Sequence, residues 1–163
     1  MSKGAIHYHF PTKEALIEVV LKTACDAVQA RTIVAWERGG SPFEALRSAI
    51  ETLWSARAER SDDAMVVADL LAQSLYDGQL RPHLAEFYRL AGEQIREHLT
   101  SHFFRLGIRP RISEDLLPRL VIGLLDGLVM QHFVDPGVLD PKEVVDAVET
   151  LGRSLFELAV TPP

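Results

Sequence analysis

Apolar residues recur at helical spacing from Thr12 to Leu158, and no segment shows the period-two alternation of a half-buried strand. That pattern confines the chain to an all-α fold. Turn-forming clusters cut the helical pattern at Gly39-Gly40, Arg60 to Asp63, Asp77-Gly78, Gly107 with Pro110, and Asp135 to Asp140. Each interval between them has room for several helical turns, so a bundle of helices around one core is expected.

The first long helix is predicted from about Thr12 to Glu37, with Leu16, Val20, Thr23, Ala27 and Val34 spaced for one buried face. Ser41 and Pro42 restart the chain as N-cap and first-turn proline, ahead of a core face of Phe43, Leu46, Ile50, Leu53 and Trp54. An apolar stretch from Met65 to Leu71 extends to Leu75 and Tyr76. Pro82 then opens a helix carrying Leu84, Tyr88, Ala91, Ile95, Leu99, Phe103 and Leu106. Ser113 or Asp115 caps the next helix, which has Pro118 in its first turn and then Leu120, Val121, Leu124, Leu125, Leu128 and Val129. Asp140-Pro141-Lys142-Glu143 is a capping pattern for a last helix bearing Val144, Val148, Leu151, Leu155 and Leu158, and the Thr161 to Pro163 tail should fray.

A chain of 163 residues with 47% hydrophobic and 25% charged residues suits one soluble globular domain. The single cysteine, Cys25, excludes an internal disulfide and a cysteine-based zinc cluster, and its apolar helical setting predicts a small buried side chain. A reducing, cytoplasmic location fits. No apolar signal-like run precedes Lys13, and the stretch from Leu120 to Val134 is broken by Asp126 and falls short of a spanning helix, so no membrane is expected. The formal charge is −6, yet residues 1–22 carry three lysines against two acids. The acidic body is unsuited to nonspecific wrapping of nucleic acid, and any phosphate contact belongs to the N-terminal end.

That end is the most specific segment. Ser2 can cap a short helix, Pro11 stops it, and Thr12-Lys13-Glu14-Ala15-Leu16 opens the next. Gly4 weakens the short helix by about 1 kcal/mol relative to alanine, which suggests close approach of its backbone to another surface. From Ser2 to Leu16 the residues resemble the recognition helix and following turn of the TetR family of bacterial repressors, with His7 where that family most often has tyrosine. The resemblance implies a TetR-like all-α bundle in which residues 1–20 are a partial helix-turn-helix and residues 21–163 an effector-binding and dimerisation domain. It also implies that Ser2, Lys3, Gly4, His7, Tyr8, His9 and Lys13 face operator DNA, Lys13 at a helix N-terminus beside phosphate. The family's DNA-binding domain has about three helices, of which this sequence carries the last, so full operator binding would call for the preceding helices.

The last two helices resemble the family's dimerisation hairpin. Gly123 and Gly127 would let a partner's backbone approach, while Leu124, Leu128, Val148, Leu151 and Leu155 would supply apolar area for a homodimer; a hairpin packed wholly within its own subunit is the alternative. The middle helices would form the effector-binding body, with Trp54, Met65, Tyr76, Phe87, Tyr88 and His98 as candidate ligand contacts, although aromatics at helical spacing also serve as plain core. Phe103 and Phe104 belong to the same aromatic set. His98 and His102 lie one turn apart, but no third ligand is indicated; neither a metal nor another cofactor is expected. Without a Gly-rich phosphate loop, a nucleophile elbow or a convincing carboxylate pair, the chain does not read as an enzyme. The expectation is a ligand-responsive regulator, a repressor released from DNA by a small apolar or aromatic effector. The alternative is a helical small-molecule binding or interaction module that does not bind DNA in this form.

Overall fold

The computed structural model describes Phe10 and residues 12–38, 40–58 and 62–158. The DNA-facing candidates Ser2, Lys3, Gly4, His7, Tyr8 and His9, and the Thr161 to Pro163 tail, lie outside the described residues. Among the described residues, six helices follow one another as α1 (Lys13–Arg38), α2 (Pro42–Ala58), α3 (Asp62–Ser74), α4 (Arg81–His102), α5 (Leu116–Val134) and α6 (Pro141–Ser154). α1 packs on α2 and α4 and meets α3, while α2 also packs on α5 and α6. α2 is therefore the common support of the bundle.

The helix starts follow from local chemistry. The Thr12 hydroxyl accepts from Ala15 N–H at 3.1 Å, and Ser41 and Glu44 form a reciprocal capping box, Ser41 N–H donating to the Glu44 carboxylate at 2.7 Å and Glu44 N–H to the Ser41 hydroxyl at 3.3 Å. These bonds to Ser41 hold the Glu44 carboxyl below its ordinary value. At α6 the Asp140 carboxylate accepts from Lys142 and Glu143 N–H at 2.8 and 3.0 Å, with Pro141 in the first turn as its sequence implies.

The main core gathers α2, α4, α5 and α6 around Phe103, which is wholly buried. Its ring stacks on Phe156 at 4.6 Å and meets Phe43 edge-on at 5.3 Å and Trp36 at 6.2 Å. A second, smaller cluster joins Ile17 and Leu21 of α1 to Leu70 of α3 and to Leu80 and Leu84 at the start of α4. The N-terminal end of α1 thus rests on α3 and α4, apart from the main core.

Three helix ends differ from the sequence expectation. α4 gives way at Phe103 to a 3-10 turn, Phe104–Leu106, and Gly107 adopts φ 74°, a conformation only glycine takes without strain, so Leu106 leaves the helix and is exposed. Two short strands then appear where none was expected: β1 (Ile108–Pro110) pairs antiparallel with β2 (Phe156–Leu158), and Arg111 N–H donates to Leu155 O at 2.7 Å. α6 accordingly stops at Ser154, and Leu158 sits on an exposed strand instead of a helix face. α3 ends at Ser74 because Arg81 donates to the carbonyls of Ser74 and Leu75 at 3.1 and 3.0 Å, turning Leu75 and Tyr76 out to solvent. α5 starts at Leu116 after Asp115, as expected, but its 19 residues exceed the apolar stretch read from sequence and make it the one described helix long and apolar enough to cross a membrane by length and composition. It is a core helix, since Leu117, Pro118, Ile122, Leu125 and Val129 are buried and Asp126 pairs with Arg57 of α2.

Candidate functional site

Two of the cavities among the described residues bear on the site. The first, about 210 Å³, is bounded by α1, α2, α3, α4 and α5. Its wall is mainly small and apolar, with Ala24, Ala56, Ala68 and Ala91 making the room, and its polar groups converge from four helices. Cys25, Gln29, Arg31 and Thr32 come from α1, Arg57 from α2, Gln94 and His98 from α4, and Asp126 from α5. An apolar cavity with a few convergent polar groups is the usual form of a small-molecule site.

At its edge Asp126 accepts two hydrogen bonds, from Arg57 Nε at 3.1 Å and from the Tyr88 hydroxyl at 3.0 Å. Burial, reinforced by the Asp126 charge, holds the Tyr88 phenol well above its ordinary value, so it remains a donor. Arg57 Nη1 is buried with no hydrogen-bond partner. Opposite, Gln94 Nε2 lies 3.8 Å from Cys25 Sγ, and burial raises the thiol above its ordinary value, keeping it neutral. The His98 ring stacks on Trp36 at 5.6 Å, and burial, followed by the neighbouring His102, lowers its affinity for a proton. His102 also leans on Trp36, at 5.0 Å. Among the described residues no group of three His, Cys, Asp or Glu side chains is placed to hold a metal ion.

The second cavity, about 300 Å³, is lined by residues of α1, α2, α4, α5 and α6, with Trp36, Leu99 and Phe156 among them. Thr32 is the one polar side chain on its wall. Thr32, Leu53 and Ile95 line both cavities and form the partition between them.

Of the ligand contacts expected from sequence, Phe87 and His98 line the first cavity, and Tyr88 reaches it through Asp126. Trp54, Met65 and Tyr76 line neither cavity. Trp54 is buried in the core beside His132, Met65 faces solvent, and Tyr76 is 91% exposed in the turn after α3. Sequence reasoning passed over Cys25, Arg57 and Gln94 as ligand contacts and noticed Asp126 only as an interruption. The available signal was a charged residue in each of two apolar helix faces, Arg57 and Asp126, which a buried pair explains.

The expected dimer residues divide by exposure. Gly123 and Gly127 are exposed, and a Cβ added at either would meet nothing within 4 Å. They continue a surface stripe of α5 formed by Leu116, Leu120, Met130 and Val134, positions spaced i, i+4, i+7, i+11, i+14 and i+18. Leu151 is half exposed, Leu124, Leu128 and Leu155 are half-buried, and Val148 is 5% exposed within its own subunit, leaving it little surface to offer. Lys13 is exposed at the start of α1.

Residues 42–157 match a family model described as the C-terminal domain of BetI-type transcriptional repressors. No curated protein sequence matches the chain. Among solved structures it is similar to a TetR-family transcriptional regulator from Rhodococcus sp., with a TM-score of 0.78 and 16% identity over 96% of this chain and 82% of that one. It is also similar to FadR of Bacillus subtilis, solved with stearoyl-CoA, at TM-score 0.74 and 18% identity over 93% and 80% of the two chains. AibR, solved with isovaleryl coenzyme A and operator DNA, follows at TM-score 0.66 and 15% identity over 93% and 80%. At these identities the likeness is one of fold.

Proposed function

Since this chain belongs to the TetR family of transcriptional regulators, we propose that it works in the cytoplasm as a homodimeric repressor released from operator DNA by a small, largely apolar effector. The effector occupies the cavity between α1 and α5. One observation carries the reading: α1 supplies Ala24, Cys25, Ala27, Gln29, Arg31 and Thr32 to the cavity wall, and its first turn adjoins the segment Ser2 to Lys13 that resembles a recognition helix. A ligand and the DNA-reading end therefore act on one rigid element. FadR and AibR, similar in fold, were solved with acyl-coenzyme A ligands, which supports a ligand-binding role for this body.

Filling the cavity pushes the middle of α1 away from α2 and α4, and the N-terminal end of α1 moves with α3 and α4, to which Ile17 and Leu21 attach it. In a dimer such a tilt changes the spacing of two reading heads, and DNA affinity falls because half-site separation is fixed by the helical repeat. The exposed stripe of α5 with its two open glycines supports the twofold contact.

A thermal-shift panel of aromatic acids and acyl chains tests the effector role. A ligand at about a hundredfold excess over Kd should raise Tm by roughly 5–10 °C. Operator binding is followed by anisotropy of DNA from upstream of the gene, using both this chain and the chain extended by any in-frame upstream sequence. Salt-dependent binding that weakens when the stabilising ligand is added is expected. Binding by neither form, or binding indifferent to a ligand that raises Tm, overturns the reading.

A further inference from the structure

We infer that the first cavity receives an uncharged ring compound with an amide edge, a lactam or a primary carboxamide, and that the Gln94 side chain reads that edge. This ligand class rests on the effector role proposed above and gives it a chemistry.

Gln94 belongs to a stripe of α4 in which Phe87, Ala91, Gln94 and His98, spaced i, i+4, i+7 and i+11, all line the cavity. Its side chain is half-buried, and among the described residues the hydrogen-bonding neighbour of its amide is the Cys25 thiol, with Sγ 3.8 Å from Nε2 and 4.0 Å from Oε1. Sulfur is a weak donor and a weak acceptor, so an amide with two N–H groups and a carbonyl keeps most of its hydrogen-bonding capacity unused. Removed from water in that state, it favours a partner that presents a donor and an acceptor side by side. A lactam presents them in cis and forms two parallel hydrogen bonds with the glutamine edge. A carboxylate has acceptors only, and one of its oxygens would face Oε1.

Charge on the wall argues the same way. Arg57 Nε donates to Asp126 at 3.1 Å and the Tyr88 hydroxyl to the same carboxylate at 3.0 Å, so the guanidinium already has its counter-ion. Burial holds the Cys25 thiol neutral and, with His102 next, lowers the proton affinity of the His98 ring. Arg31 is exposed, where water solvates its charge. A charged ligand thus finds no uncommitted counter-ion inside, and burying an unpaired charge costs far more than burying a hydrogen-bonded amide.

Size sets the rest. An apolar cavity of about 150 Å³ holds a benzene ring, and this one, about 210 Å³, has room for one ring or two fused rings. Ala24, Ala56, Ala68 and Ala91 leave the space. Phe87 and the His98 ring, stacked on Trp36 at 5.6 Å, offer aromatic surface for a flat ligand to pack against.

Four ligands of similar size test the assignment: carbostyril, a fused-ring lactam; N-methylcarbostyril, whose donor is blocked; quinoline, which lacks the carbonyl; and naphthoate, an anion. Each is titrated by calorimetry into the full chain, unsubstituted and as Gln94→Leu. On the unsubstituted chain carbostyril should bind about tenfold tighter than N-methylcarbostyril, the equivalent of one buried hydrogen bond, and naphthoate should bind weakest. Gln94→Leu keeps similar bulk and removes the fork. It should weaken carbostyril by roughly tenfold to a hundredfold, erase its advantage over the N-methyl compound, and leave quinoline affinity unchanged. Ala91→Leu occupies space beside the fork and should weaken all the neutral ligands alike. Circular dichroism and Tm check the fold of each variant, and the ligand comparison on the unsubstituted chain stands without them.

No carbostyril binding, equal affinity for carbostyril and its N-methyl derivative, tighter binding of naphthoate, or a Gln94→Leu effect of the same size on quinoline as on carbostyril would each overturn the inference. If naphthoate raises Tm and carbostyril does not, this assignment alone falls. If neither these ligands nor the wider panel raise Tm, the effector reading falls with it.

Discussion

Replacing Asp126 by alanine removes the acceptor that joins α2, α4 and α5 at the edge of the first cavity. Its carboxylate holds Arg57 Nε at 3.1 Å and the Tyr88 hydroxyl at 3.0 Å, and the Arg57 and Asp126 side chains are 16% and 26% exposed. Breaking a fully buried ion pair costs about 3–5 kcal/mol because the remaining charge is stranded, and hydrogen bonds to charged groups contribute roughly 1.5–3 kcal/mol each. Partial solvent contact here favours the lower end, so Asp126→Ala should cost about 3 kcal/mol. Tyr88→Phe removes one bond and leaves the ion pair, and should cost about 1 kcal/mol. The double substitution Arg57→Met with Asp126→Leu removes both charges in favour of apolar bulk and should be less destabilising than Asp126→Ala alone. Urea unfolding measures these proteins together with the single substitutions Arg57→Met and Asp126→Leu, and the slope should be constant while the midpoint moves. In heat, about 3 kcal/mol corresponds to a Tm lower by roughly 6–12 °C in a chain of this size. The reasoning fails if Asp126→Ala costs under about 0.5 kcal/mol, or if the double substitution costs the sum of its two singles, since coupled partners cannot be additive.

Three further outcomes are expected. Phe103→Ala empties the centre of the aromatic core and should cost about 3–5 kcal/mol in chemical denaturation; a value near 1 kcal/mol would mean that Phe43, Trp36 and Phe156 collapse to fill the space. A Cβ at Gly127 meets nothing within 4 Å in its own subunit, so Gly127→Glu should give a monomer by sedimentation with unchanged helical content by circular dichroism, and a persisting dimer would place the interface elsewhere. Burial and then His102 lower the proton affinity of His98, so the unfolded chain takes up a proton that the native state resists. Stability present above the ordinary histidine pKa of about 6.5 is therefore lost as pH falls through that value toward the lowered native one, and His98→Gln should flatten a Tm series between about pH 7 and pH 5.

Helix identity was legible because the apolar spacing and the caps agree: Ser41 with Glu44, and Asp140 with Pro141, fix two starts by bonds that local sequence alone can specify. The ends were less so. Arg81 terminates α3 from seven residues beyond Ser74, and β1 and β2 are three residues each and pair across the full length of α5 and α6. No local period announces a strand so short. The same holds for the cavity, whose wall is defined by what small residues leave empty. Ala24, Ala56, Ala68 and Ala91 look like ordinary helix formers in sequence, and only the packing of α1 against α2, α3 and α4 turns them into space. Aromatics drew attention instead, and two of them behave differently from a pocket wall, Trp54 as core and Tyr76 as surface.

The distance between the starts of α1 in the two subunits of the proposed dimer tests the central claim most directly. With Cys25→Ala as background, Lys13→Cys carries a nitroxide at the exposed start of the helix, and double electron–electron resonance reads the separation across the twofold axis. A ligand that raises Tm should shift that distance to a new, narrower distribution, in parallel with loss of operator affinity. An unchanged distribution at saturating ligand, with the cavity demonstrably filled, would contradict the claim that the effector acts through α1.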